Sequence, residues 1–148
     1  MNAFENFYIR LRDARAAYKA ADDARNETER SIASNACKAV WKEVEELGFI
    51  ACRLFTEYDL SRNCGNEILD ITNGMWDKDV AKTVAVLREN GIERFAFSTC
   101  VSRAVETAWL FQKNGCVLEG LIEINSHYGE HGSNQRRKAH GLLFRVGD

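Results

Sequence analysis

The apolar positions of the chain change their period part-way along. Over the first 47 residues, which contain neither glycine nor proline, Phe4, Phe7, Tyr8, Leu11, Ala14, Tyr18 and Ala21 recur at helical spacing, and so do Ala33, Ala36, Cys37, Val40, Val44 and Leu47. The pattern fits two helices or one long bent helix, with the charged segment "DDARNETER" between the two apolar runs. Asn26 and Glu29 stand at the spacing of a capping box. Gly48 lies where a C-terminal cap residue would end the second helix.

Residues 49–60 follow no single period, and "SRNCGN" after them reads as a loop. From Glu67 the pattern becomes regular: "EILDIT" predicts a strand, "DVAKTVAVLRENG" a helix, "IERFAFST" a strand, "VSRAVETAWLFQKNG" a helix, and "CVLEGLIEIN" and "AHGLLFRV" two further strands. Two successive strand-helix-strand units imply a largely parallel sheet with right-handed crossovers, and the last two strands a hairpin. Such crossovers place both later helices on one sheet face and leave the N-terminal helices to cover the other. The expected fold is a single α/β domain over residues 1–148, with α+β as the alternative class. Its helical part (1–48) packs on a small, mostly parallel sheet (67–148) that ends in an antiparallel hairpin.

Composition agrees with a folded domain: 148 residues, 45% hydrophobic and 28% charged. The net charge of -2 supplies no field to draw the chain onto nucleic acid or an anionic membrane. The N-terminal segment is amphipathic rather than continuously apolar, and no run of about 20 apolar residues occurs. Five widely spaced cysteines, Cys37, Cys52, Cys64, Cys100 and Cys116, read as reduced thiols. These features together predict a cytoplasmic protein.

Charge is unevenly distributed. Residues 57–79 carry Glu57, Asp59, Glu67, Asp70, Asp77 and Asp79 against Arg62 and Lys78, whereas Arg136, Arg137 and Lys138 form a basic cluster. Trp76, next to Met75 and two aspartates in "NGMWDKD", has the setting of an interface anchor or of a lid on the core at a helix start. His127, His131 and His140 lie in or beside a glycine-rich loop; in a metal site Cys116 or Cys64 could add a sulfur to them, and solvated loop histidines are the simpler reading. Glu119 and Glu123 alternate along one strand, as an acid-base pair or as a polar face partnered by Arg145. Cys100 follows a strand where a helix begins, a place that lowers a thiol pKa, yet no motif links a histidine to it. No cofactor or catalytic set follows from these residues.

The stretch "SRAVETAWLFQKNGCVLEGLIEI" resembles the late segment of GNAT-type acetyltransferases, in which a helix with an aromatic near its end passes through a glycine into a strand carrying another. The matching positions are Ala104, Phe111, Gly115, Cys116 and Gly120, and the likeness covers about a sixth of the chain. It implies a glycine-rich phosphate loop between a strand and a helix. That place reads "ITNGMWDKDVAK", with one glycine and with Asp77 and Asp79 at the helix start, and the family's tyrosine acid falls at Phe111.

Residues 75–125 resemble small proteins encoded on phages, plasmids and conjugative elements of gut anaerobes. The resemblance implies a non-catalytic protein-binding module, an anti-CRISPR-like inhibitor of a host defence nuclease. Its expected contact surface is Glu57, Asp59, Asp70, Trp76, Asp77 and Asp79, competing for a basic nucleic-acid channel, with Arg136, Arg137 and Lys138 as a secondary patch. The expected partner is a protein, an RNA-guided nuclease, rather than nucleic acid or membrane. A GNAT-like or other small-molecule-binding enzyme, and a homodimer assembled through the N-terminal helices, are the alternatives.

Overall fold

The computed structural model describes residues 2–99, 102–127 and 137–148. Among the described residues it is an α/β fold of five helices and a four-stranded mixed sheet. Two compact units divide the chain, Met1–Cys52 and Arg53–Asp148.

In the first unit the two apolar runs are separate helices, α1 (Ala3–Asp23) and α2 (Glu27–Glu46). Asn2 caps α1 by accepting the Glu5 N–H at 2.7 Å, and Asn26 caps α2 by accepting the Glu29 N–H at 3.1 Å. Arg10 meets Glu43 and Arg30 meets Asp22, which fixes the two helices as an antiparallel hairpin. Phe4 and Leu11, Ala14 and Ala21, and Ala33 and Val40 are buried and recur every seventh position, as a coiled-coil seam requires. Gly48 takes φ +105, the left-handed conformation that ends a helix.

The aperiodic stretch is a helix, α3 (Phe49–Asn63). Ala51, Leu54, Phe55 and Tyr58 are buried on one broad face of it, together with the polar Glu57, Asp59 and Ser61. Polar residues on the buried face and the exposed Phe49 and Leu60 blur the apolar stripe, so its period does not stand out in the sequence.

The second unit continues with β1 (Leu69–Ile71), a 3-10 turn over Asp77–Asp79, α4 (Val80–Glu89), β2 (Arg94–Phe97), α5 (Ala104–Lys113), β3 (Val117–Asn125) and β4 (Lys138–Arg145). The strand order is β1-β2-β4-β3. Only β1 and β2 pair in parallel; β4 runs antiparallel to both β2 and β3. The expectation of a mostly parallel sheet is corrected here. The α5 crossover carries β3 past the position beside β2, and β4 turns back into the gap, where its backbone groups are satisfied by strands on both sides.

Alternation along β1 and β2 puts Leu69, Ile71, Phe95 and Phe97 on one face and Asp70 and Ala96 on the other. On the first face Phe95, Phe97 and Phe144 surround Phe111 of α5 at ring separations of 5.0, 5.3 and 5.5 Å. These four rings are the centre of the core, each at most 3% exposed. Among the described residues no helix is long and apolar enough to cross a membrane.

Candidate functional site

Among the described residues the outer edge of β1 has no strand beside it, and α3 supplies the missing partners. Arg53, Glu57 and Ser61 stand at i, i+4 and i+8, one stripe of the helix. The Asp70 N–H donates to Ser61 Oγ at 2.9 Å. The N–H groups of Thr72 and Asn73 donate to Glu57 Oε1 at 3.2 and 3.0 Å. Arg53 donates to the carbonyl of Gly74. Three side chains thus hold the edge strand and the loop that follows it, which is one of the ways proteins close a sheet edge. Burial raises the Glu57 carboxyl above its ordinary range, opposed by the two backbone N–H groups and Arg53.

Asp70 lies inside this arrangement with no exposed surface. Its Oδ2 accepts the Ser98 hydroxyl at 2.9 Å and lies 3.8 Å from His127 Nε2, while Oδ1 has no hydrogen-bond partner among the described residues. Burial pushes the Asp70 carboxyl up to about 6, the Ser98 hydrogen bond opposes that, and the Glu57 charge adds to it. His127 also meets Ser61 Oγ at 3.1 Å.

Beyond the C-terminal ends of β1 and β2 the surface opens into a groove of about 460 Å³ lined by Arg53, Gly74, Met75, Trp76, Ser102 and Arg103. Arg103 also borders a hollow of about 320 Å³ with Asp77, Val105, Glu106, Trp109 and Leu110. Val105 borders in turn a third, of about 240 Å³, whose walls include Phe97, Ser98, Leu121, His140 and Leu142. The shared residues make the three one continuous strip. Four of its apolar members stand out into solvent: Trp76 is 76% exposed, Val105 79%, Trp109 58% and Leu121 80%. Arg103 is tied to Asp77 at 2.7 Å, and the Lys113 ammonium sits 4.6 Å over the Trp109 ring.

The expected acidic contact surface is corrected by this geometry. Glu57, Asp59 and Asp70 are buried, at 3%, 6% and 0% exposure, so they cannot meet a partner. Their carboxylates serve the chain's own backbone and side chains. Trp76, Asp77 and Asp79 do reach solvent, with Asp79 half-buried. In the basic patch, Arg136 lies outside the described residues, Arg137 is exposed, and Lys138 donates to Asn125 Oδ1 at 2.7 Å. Cys100 and His131 also lie outside the described residues. Exposed His140 faces Glu123 at 3.3 Å. Glu119 is held by Arg94 at 2.7 Å, which lowers its carboxyl pKa, and stands 4.0 Å from Arg145. Glu119 and Glu123 therefore have separate partners and form no acid-base pair. Among the described residues no three His, Cys, Asp or Glu side chains gather as a metal site.

Arg53, Ser61, Ser98, Val105, Trp109 and Leu121 were not legible as site residues. The i, i+4, i+8 stripe of α3 is a usable signal only once residues 49–63 are known to be helical.

The family described as a domain of unknown function, DUF7698, matches residues 53–146. The chain belongs to the DUF7698 family. The matched segment begins where the second compact unit begins, so the DUF7698 region contains β1 to β4, the α3 stripe and the whole aromatic strip. No curated protein and no solved structure matches the chain.

The segment resembling acetyltransferases takes definite positions within the DUF7698 region. Gly115 adopts φ +95 at the end of α5, and Gly120 adopts φ +145 at a bulge in β3 where Glu119 is the extra residue. Phe111 has no exposed surface. In the loop after β1, the N–H groups that would face a phosphate at Thr72 and Asn73 are already taken by the Glu57 carboxylate.

Proposed function

We propose that the DUF7698 region is a non-catalytic protein-binding module that docks through the strip Trp76, Val105, Trp109 and Leu121. The carrying observation is the exposure of four large apolar side chains along adjoining hollows, bordered by the Arg103–Asp77 and Glu123–His140 pairs. Such an apolar centre with a charged rim is the anatomy of a protein interface, and tryptophans supply most of the energy where they occur. The carboxyls with raised pKa values, Glu57 and Asp70, are buried and closed to a substrate.

The partner class we take is a host defence nuclease, on the likeness of residues 75–125 to proteins of mobile elements. Docking in this reading rests on aromatic burial rather than on imitation of nucleic acid, since Asp77 is engaged by Arg103 and three of the five expected carboxylates are inside. The test is a pull-down from cells with an active RNA-guided defence system, using wild type and the double variant W76A/W109A. A nuclease retained by wild type and lost by the double variant supports the reading; equal retention by both removes the strip from the interface, and retention of no nuclease by wild type removes the nuclease.

A second reading has its own observation. The groove of about 460 Å³ sits at the C-terminal ends of two parallel strands, where open α/β sheets take small ligands, and Arg53 and Arg103 line it. An anionic ligand with an apolar part, acetyl-CoA included, fits that lining. Transfer chemistry is disfavoured by the buried Phe111, which has no proton to give. A thermal shift with acetyl-CoA decides it, since a ligand at a hundredfold its dissociation constant stabilises a fold by about 2.7 kcal/mol.

A further inference from the structure

The polar cluster beneath the outer edge of β1 contains more titratable groups than holding that edge requires. Asp70 and His127 have side chains 0% and 6% exposed, and their nearest polar atoms are 3.8 Å apart. Ser61 determines where a hydrogen sits on the imidazole. Its hydroxyl hydrogen goes to the Glu57 carbonyl at 2.7 Å, and one lone pair takes the Asp70 N–H at 2.9 Å. What Ser61 offers His127 Nε2 at 3.1 Å is its remaining lone pair, so Nε2 carries a hydrogen in either charge state of the ring.

An ionised carboxylate with an open oxygen is costly in such a place unless a countercharge is near. Among the described residues the groups facing Asp70 are few. From α3 come Glu57, of the same sign, and Ser61; from the end of β2 comes uncharged Ser98; from the exit of β3 comes His127. Arg53 of α3 is turned to the Gly74 carbonyl. His127 is thus the one countercharge these groups can supply.

We propose that Asp70 and His127 hold one exchangeable proton between them and form a pH-responsive latch that fastens the chain leaving β3 to the edge of β1. With the proton bound the pair is either an ion pair or two neutral groups, and both are tolerable in a buried setting. When pH rises and the proton leaves, the Asp70 carboxylate keeps only the Ser98 hydroxyl and a neutral imidazole. The raised Asp70 carboxyl is consistent with a proton held near neutral pH. A second, proton-independent fastening lies next to it: the Asn66 side chain exchanges two hydrogen bonds with the Asn125 backbone, each 2.8 Å. Loss of the proton therefore loosens His127 while Asn125 stays in place.

The test is NMR on the full chain, following the His127 ring nitrogens and the Asp70 carboxyl carbon from about pH 4 to 9, the range that spans both groups' ordinary values. The expected result is that both nuclei report the same two apparent midpoints, because interacting groups titrate as a pair. In D70N the His127 ring is expected to return to a single step, its midpoint moved by about one pH unit or more. Amide exchange at His127, corrected for its intrinsic pH dependence, is expected to quicken relative to Asn125 as the wild type loses the proton. A single His127 midpoint identical in wild type and D70N overturns the proposal. If D70N does not fold, H127Q reads the pair from the other side, and an Asp70 midpoint unchanged in H127Q overturns it equally.

Discussion

Glu57 Oε1 accepts the backbone N–H groups of both Thr72 and Asn73, so one carboxylate from α3 does for the end of β1 what a neighbouring strand would do. The same atom occupies the concavity where a phosphate would otherwise be received. A loop whose donors are satisfied from within gains rigidity and gives up an anion site.

Replacing Glu57 tests that relationship. Glu57→Ala leaves the Thr72 and Asn73 donors without their acceptor and is expected to lower stability by about 1–3 kcal/mol. Glu57→Gln keeps a carbonyl oxygen in place and removes a buried charge, so its loss is expected to be well below that of the alanine variant. Urea midpoints at unchanged slope measure both.

Stability should also depend on pH through Asp70. Its folded value, about 6, lies above the ordinary 3.8, so the protonated form is favoured by folding. That contribution is present in full below pH 3.8 and is lost as pH rises through about 6. The displacement corresponds to up to ~3 kcal/mol. Asp70→Asn retains an acceptor for Ser98 without the charge. It is expected to match wild type near pH 4 and to exceed it increasingly toward pH 8, as read from unfolding curves across that span.

Trp76 and Trp109 are expected to behave oppositely to the core aromatics. Both project into solvent, so Trp76→Ala and Trp109→Ala should each leave folding stability within about 0.5 kcal/mol of wild type. Each should cost a bound partner about 2 kcal/mol, roughly a thirtyfold weaker dissociation constant, if the strip is the interface. Calorimetry of folding and titration of the retained partner separate the two effects.

Phe111 provides the contrast. Phe111→Ala opens a cavity among Phe95, Phe97 and Phe144 and is expected to cost about 3–5 kcal/mol. Phe111→Tyr restores the hydroxyl of the acetyltransferase pattern but places it among buried rings. It is expected to destabilise by about 1–3 kcal/mol and to confer no acyl transfer, measured by thermal unfolding and by acetyl-CoA turnover.

By itself the sequence determined the elements that carry a local mark. The α1 and α2 stripes, the cap at Asn26, the turn at Gly48 and the strands and helices from β1 to β4 each follow from an apolar period or a turn residue that depends on near neighbours alone. The tertiary structure alone decided three other things. It made α3 a helix, because a segment whose buried face mixes polar with apolar residues carries only a weak periodic mark. It set β4 between β2 and β3, because alternation tells which side of a strand is buried and says nothing about which strand lies beside it. It moved Glu57, Asp59 and Asp70 from the expected surface to the interior and brought Trp76, Val105, Trp109 and Leu121 into one strip, because charge marks a residue as exposed only until backbone donors and hydroxyls offer it partners inside.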